Sequence, residues 1–196
     1  MKNNFYGKHY TSVEGLTRDD IELFFKTAVH MRSIVKEKGG TDILKGKILT
    51  ALFYEPSTRT FSSFVAAAQR LGMGFIPNRD ITSTSVVKGE TLADTIRTLA
   101  QLSDAIVLRH SDSDSAKVAS AVSSVPIINA GDGVNEHPAH ALHDLWTIYE
   151  HFQTLENIHI AFFGDIGHYR NVNSLAKLCA LFPIKLTFVS PRPLRL

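Results

Sequence analysis

The sequence predicts an α/β fold, a mostly parallel sheet with helices on both faces, on three observations. Strand-like apolar runs alternate with helix-period segments from Thr17 to Phe152. Some of these runs, such as Ile106-Val107-Leu108, are continuously apolar, as a strand buried on both faces is. Glycine-containing turns, including Gly39-Gly40 and Gly131-Asp132-Gly133, punctuate the pattern.

The elements follow in order. Thr17-Arg18-Asp19-Asp20 caps a first helix running to Lys38, and Gly39-Gly40 ends it. Lys47 to Tyr54 suits a buried strand. Phe61, Phe64, Val65, Ala68 and Leu71 then recur at steps of three and four, the inward face of a helix that Gly72 stops. A short apolar step, Gly74 to Pro77, leads into the polar loop Thr82 to Glu90, and Thr91 to Leu102 is helical through Leu92, Ile96 and Leu99. Asp104 to Leu108 is a strand delivering Arg109-His110 to its C-terminal end. Ser111 to Ser115 is a solvated loop, and Ala116 to Val122 a short helix. Val125 to Asn129 is the next strand, with Gly131-Asp132-Gly133 as its turn. The helix from His137 to Phe152 turns Leu142, Leu145, Trp146, Tyr149 and Phe152 inward. A change of unit near Phe152 to Asn157 divides the chain into 1–152 and 153–196. The second part holds the strand Ile158 to Asp165, the helix Asn171 to Phe182 and the strand Ile184 to Ser190, the opening of a truncated second α/β domain.

Composition narrows the function. Of 196 residues, 44% are hydrophobic and 20% charged, as in an ordinary globular protein. Twenty-one Lys and Arg against 19 Asp and Glu give a net charge of +2, no whole-chain field for nucleic acid or an anionic membrane, while a local basic pocket stays compatible with it. The single cysteine, Cys179, cannot form an internal disulfide and reads as a core thiol. No apolar run is long enough to span a bilayer, and Met1 to Tyr6 has no apolar signal core, so the expected location is the cytoplasm.

The densest chemistry lies in Glu55-Pro56-Ser57-Thr58-Arg59-Thr60, between a strand and a helix. Unpaired N–H groups and the dipole at a helix N-terminus favour an anion, and three hydroxyls and a guanidinium gather there. A plain N-cap accounts for one hydroxyl but not for the other two and Arg59, so a phosphate or carboxylate site is the reading preferred. In an open α/β sheet, ligands bind beyond the carboxyl ends of the strands. Arg109 and His137 are expected at that edge too. Arg109 is either a salt-bridged strand end or a second cation for an anionic ligand. His137 and His140, one helical turn apart, invite a metal reading, but no cysteine or evident carboxylate completes a zinc site, and no metal is expected. With Pro138 in the first turn, His137 sits at a helix N-terminus that disfavours the imidazolium; a neutral ring could donate to a carbonyl oxygen. Ser85 and Lys88, on the hydroxyl-rich loop, read on their own as solvated surface. Gly164-Asp165-Ile166-Gly167 lacks the full glycine spacing of a dinucleotide turn.

Five motifs together carry a resemblance. Pro56-Ser57-Thr58-Arg59-Thr60, Val87 to Thr95, Val107-Leu108-Arg109-His110, Asn129 to Gly133 and Glu136-His137-Pro138 stand in the order and at the spacing of the aspartate carbamoyltransferase family, over most of residues 47 to 150. Phe163-Gly164-Asp165 through Arg170 and Ser174-Leu175 is similar to the start of that family's aspartate domain. Ornithine carbamoyltransferases share the Ser-Thr-Arg-Thr cluster, but the run Lys88 to Thr95 is similar to the aspartate enzymes.

The resemblance implies a carbamoyl phosphate domain followed by an aspartate domain, no cofactor, and transfer of the carbamoyl group of carbamoyl phosphate to the α-amine of L-aspartate in pyrimidine biosynthesis. Ser57, Thr58, Arg59 and Thr60 would hold the phosphate, and Thr60, Arg109 and His137 would polarise the carbamoyl oxygen. Lys88, with Ser85 or Thr84, would reach the carbamoyl phosphate and aspartate of a neighbouring subunit in a homotrimer with shared sites. Arg170 would bind a carboxylate of aspartate. His140 stands where the family has a glutamine facing the carbamoyl NH2, and Ala139 precedes it. The chain stops before the family's later arginine-containing aspartate site, which implies little turnover by this chain alone. Two other readings are a non-catalytic carbamoyl phosphate-binding or assembly subunit of this fold, and an ornithine carbamoyltransferase.

Overall fold

The computed structural model describes residues 5–79 and 85–195. Its first sheet is parallel, built from β1 (Ile48–Phe53), β2 (Gly74–Asn78), β3 (Ala105–His110) and β4 (Ile127–Asp132) in the spatial order β2-β1-β3-β4. The crossovers carry α2 (Thr58–Arg70), α3 (Leu92–Ala100) and α4 (Ser115–Val122). Alternation along β1 decides what each face receives. Leu49, Ala51 and Phe53 pack with Phe61 and Ala68 of α2, whereas Leu52 packs with Ile96, Ala100 and Ala119 of α3 and α4. The sheet is therefore covered on both sides, as a parallel sheet requires.

α1 (Arg18–Lys38) begins with the expected capping box between Thr17 and Asp20 and ends at Gly39, whose φ of 75° is left-handed. It packs Ile21 and Phe25 against α5 (Pro138–Phe152). The same cluster takes in Leu175, Leu178 and Cys179 of α6 (Arg170–Cys179) and Phe182 just beyond it. β5 (His159–Phe163) and β6 (Lys185–Val189) pair in parallel as a second sheet. Burial pushes the Cys179 thiol up to about 12, in keeping with a core thiol. Among the described residues, no helix is long and apolar enough to cross a membrane.

Several boundaries differ from the sequence expectation. The apolar step at Gly74 is a true edge strand, where Pro77 can stand because an edge residue need not donate to the ladder. β4 runs through Gly131 and Asp132 instead of turning there, since Asp132 still pairs with His110 after a register shift. Ser115 is buried as the first residue of α4, not part of a solvated loop. Phe152 is 53% exposed at the end of α5, where the helix has outrun the core in which Leu145 is fully buried.

That contrast is measurable. Leu145→Ala should cost about 2–5 kcal/mol in urea unfolding through the cavity it leaves. Phe152→Ala should cost under about 1 kcal/mol by the same measurement.

Candidate active site

A cavity of about 800 Å³ opens at the carboxyl edge of the first sheet. Three helices start on its wall, and their N-cap residues Ser57, His137 and Tyr169 all line it. Each start presents unpaired N–H groups and a positive dipole end. Arg59, Arg109 and Arg170 line the same space, so a small volume holds three guanidiniums and three helix N-termini. Ser57 makes no side-chain capping bond, which leaves its hydroxyl available to a ligand.

Arg109 is both things the sequence left open, a strand-end ion pair and a cavity cation. Its Nη2 lies 3.1 Å from Glu55 Oε2, and its Nη1 donates to Ala130 O at 3.1 Å. Its Nε is buried without a partner among the described residues. Arg170 donates to the same Glu55 oxygen at 2.8 Å and to Gly133 O at 2.8 Å. Burial, then Arg170, lowers the pKa of Arg109, against the pull of Glu55; an arginine stays charged regardless. Both guanidiniums lie against Gly131, whose φ is 114°; a Cβ there would stand 3.0 Å from Arg170 Cζ and 3.2 Å from Arg109 Nη1.

His137 is 5% exposed, and its Nδ1 accepts from the His140 N–H at 3.4 Å, so it caps α5 with its own ring. That bond leaves the proton of a neutral ring on Nε2. Burial first, then His140, Arg109 and Arg170, lowers its pKa to about 3. His140 and His143 lie 3.7 and 3.6 Å from Asp144 Oδ1, and the other oxygen of Asp144 accepts from Asn171 Nδ2 at 2.5 Å.

Ser57, Arg59, Thr60, Arg109, His137, His140 and Arg170 are thus brought together. Thr58 is exposed and does not line the cavity. Lys88 is exposed at the end of the 3-10 turn Ser85–Lys88, also away from its wall. Thr84 and the side chain of Ser85 lie outside the described residues. Sequence reasoning missed Glu55, although a lone acidic residue one step beyond Tyr54 and next to the anion cluster was a signal. It also missed His143, Asp144, His168, Tyr169 and Asn171, which no local motif marks. Among the described residues, no group of three or more His, Cys, Asp or Glu side chains could hold a metal ion.

Comparison with known proteins gives concordant matches. Residues 8–150 match the family model for the aspartate/ornithine carbamoyltransferase carbamoyl-P binding domain. The aspartate carbamoyltransferase catalytic subunit of Methanococcus vannielii is 45% identical over 190 residues, covering 96% of this chain and 63% of that protein. The multifunctional protein URA2 of Saccharomyces cerevisiae is 47% identical over 194 residues, 99% of this chain but 9% of its own length. The crystal structure of aspartate transcarbamoylase from Trypanosoma cruzi with carbamoyl phosphate and aspartate superposes with a TM-score of 0.92 at 43% identity, covering 96% of this chain and 59% of that one. The chain therefore spans less than two thirds of the length of these relatives.

The neutral state of His137 has a consequence for stability. Its folded pKa lies below the ordinary unfolded value of about 6.5, so the unfolded chain binds the extra proton. Stability should therefore fall as pH drops from about 6.5 toward 3, by at most about 1.4 kcal/mol per pH unit from this residue. His137→Asn, which keeps a good N-cap, should flatten that slope in urea titrations between pH 7 and 5.

Proposed function

We propose that this chain, which belongs to the aspartate/ornithine carbamoyltransferase family, binds carbamoyl phosphate in the cavity and serves transfer of its carbamoyl group to the α-amine of L-aspartate. The products are N-carbamoyl-L-aspartate and phosphate. The observation that carries this reading is the meeting of three helix N-termini, Arg59 and Arg109 around a neutral His137. Support also comes from relatives named aspartate carbamoyltransferase catalytic subunit and from the Trypanosoma cruzi enzyme, whose structures hold carbamoyl phosphate and aspartate.

In this reading, residues 1–152 bind carbamoyl phosphate and residues 153–196 begin the aspartate-binding unit. Ser57, Thr58, Arg59 and Thr60 take the phosphate, Thr58 through its N–H at the start of α2. Thr60, Arg109 and the Nε2–H of His137 point at the carbamoyl oxygen. The amine lone pair attacks the carbamoyl carbon, charge grows on that oxygen, and the C–O bond to phosphate breaks as the departing phosphate takes the proton the amine loses. A neutral imidazole suits a donor that must not give up its proton as the oxygen charges. Each preorganised donor is worth about 3 kcal/mol in such chemistry, and holding both substrates side by side removes entropic cost. Arg170 takes a carboxylate of aspartate, exchanging or sharing its hold on Glu55. Lys88, with Ser85, serves a neighbouring subunit of a homotrimer, which accounts for its place outside its own cavity. His140, at the mouth, faces the carbamoyl NH2 with its acceptor nitrogen. No cofactor enters this scheme, and the protein works in the cytoplasm.

Arg59 is exposed and makes no ion pair among the described residues, so Arg59→Ala should leave the thermal midpoint nearly unchanged. The same variant should weaken carbamoyl phosphate binding at least about a hundredfold by calorimetry, as loss of a charge-assisted contact to phosphate does. Unchanged binding would remove the basis of this proposal.

A further inference from the structure

We propose that Glu136 is a positioning residue that fixes the ring of His137 through Ser174; the proposal concerns how that ring is held and rests on the carbamoyl transfer reading only for its ligand test. The carboxyl group of Glu136 is 10% exposed and accepts four hydrogen bonds. Oε1 takes Ser12 Oγ at 2.7 Å and Lys177 Nζ at 3.2 Å; Oε2 takes the Val13 N–H at 2.9 Å and Ser174 Oγ at 3.3 Å. Ser174 is completely buried on α6, and its Oγ accepts the backbone N–H of His137 at 3.1 Å.

A serine hydroxyl has one proton. Given to Glu136, it leaves a lone pair facing the His137 N–H, so the acceptor on Glu136 dictates the direction of the whole relay. That peptide needs outside support. His137 has φ −138° and ψ 75°, short of the extended region where an N-cap residue normally sits. Among the described residues, its ring makes one hydrogen bond, a long one of 3.4 Å from the His140 N–H to Nδ1. Rotation of the backbone would break that bond and free the ring to place its proton on either nitrogen. Glu136 thus ties three segments to one peptide: the amino-terminal strap at Ser12 and Val13, the start of α5, and α6.

The two oxygens make the test selective. A glutamine can keep its carbonyl oxygen toward Val13 and Ser174, because on the other side the Ser12 hydroxyl can turn to accept. Glu136→Gln should therefore preserve the relay and lose only the Lys177 contact. Glu136→Leu removes every acceptor, and Ser174→Ala removes the relay alone. Nitrogen-15 NMR of the ring shows which nitrogen carries the proton. In the wild-type protein and Glu136→Gln, His137 should be almost wholly the Nε2–H form; Glu136→Leu and Ser174→Ala should show mixed forms. In the same two variants, affinity for carbamoyl phosphate should fall about tenfold while affinity for inorganic phosphate, which has no carbamoyl oxygen, stays within about twofold. Ring signals like the wild type in folded Glu136→Leu would overturn the proposal, as would equal weakening toward both ligands. If Glu136→Leu does not fold, Ser174→Ala decides by the same criteria. If the wild-type protein shows no preference for carbamoyl phosphate over phosphate, the functional reading fails and the ring signals alone decide the role of Glu136.

Discussion

Two guanidiniums in one half-buried cavity repel each other, and the shared Glu55 oxygen is what lets the fold keep Arg109 and Arg170 together. The side chains of Arg109, Arg170 and Glu55 are 13%, 18% and 29% exposed, dry enough for charge to matter more than it does on an open surface. With Arg59 and Asp144 also on the wall, three guanidiniums face two carboxylates, which leaves net positive charge that the three helix N-termini increase. The site is therefore stable while remaining attractive to an anion. Gly131 is part of the same arrangement: its φ of 114° suits glycine, and a Cβ there would push against the ends of both guanidiniums.

The parallel sheet explains why these groups meet. Every strand of the first sheet ends at the same edge, so Glu55 after β1, Arg109 in β3 and Gly131 in β4 are brought to one place. Each crossover carries the chain back to the opposite edge, so that the next strand runs in the same direction and ends where the last one did. The burial that satisfies the strands, with Ile106, Val107 and Leu108 within 1% of complete, also makes the platform stiff.

Much of this was legible in the sequence because local rules and the global fold agree. The capping box at Thr17, the helix period after Thr60 and the apolar run at Ile106 each obey a rule of a few residues. What was illegible depends on distances that only tertiary packing sets. The bond between Glu55 and Arg170 spans 115 positions, and that between Asn171 and Asp144 spans 27. Phe152 was misread for a related reason: its helix period is right, but the core ends a turn earlier. Thr58 shows a subtler limit, since a motif fixes which residues are neighbours but not which of their side chains turn toward the cavity.

The packing of α6 bears on how the site should be understood. Leu175, Leu178 and Cys179 share one apolar cluster with Ile21 and Phe25 of α1 and Leu145 of α5. Arg170 and Ser174 lie on the same helix as that cluster, so the guanidinium that reaches Glu55 and the hydroxyl that holds His137 move with it. Burying such side chains gains roughly 25 cal/mol per Å² of apolar area, far more in sum than any single polar contact in the cavity. The hydrophobic joint therefore supplies most of the hold on α6, and polar contacts such as Asn171 to Asp144 and Ser174 to Glu136 add to it. Those contacts also fix the directions in which the Arg170 guanidinium and the His137 peptide stand.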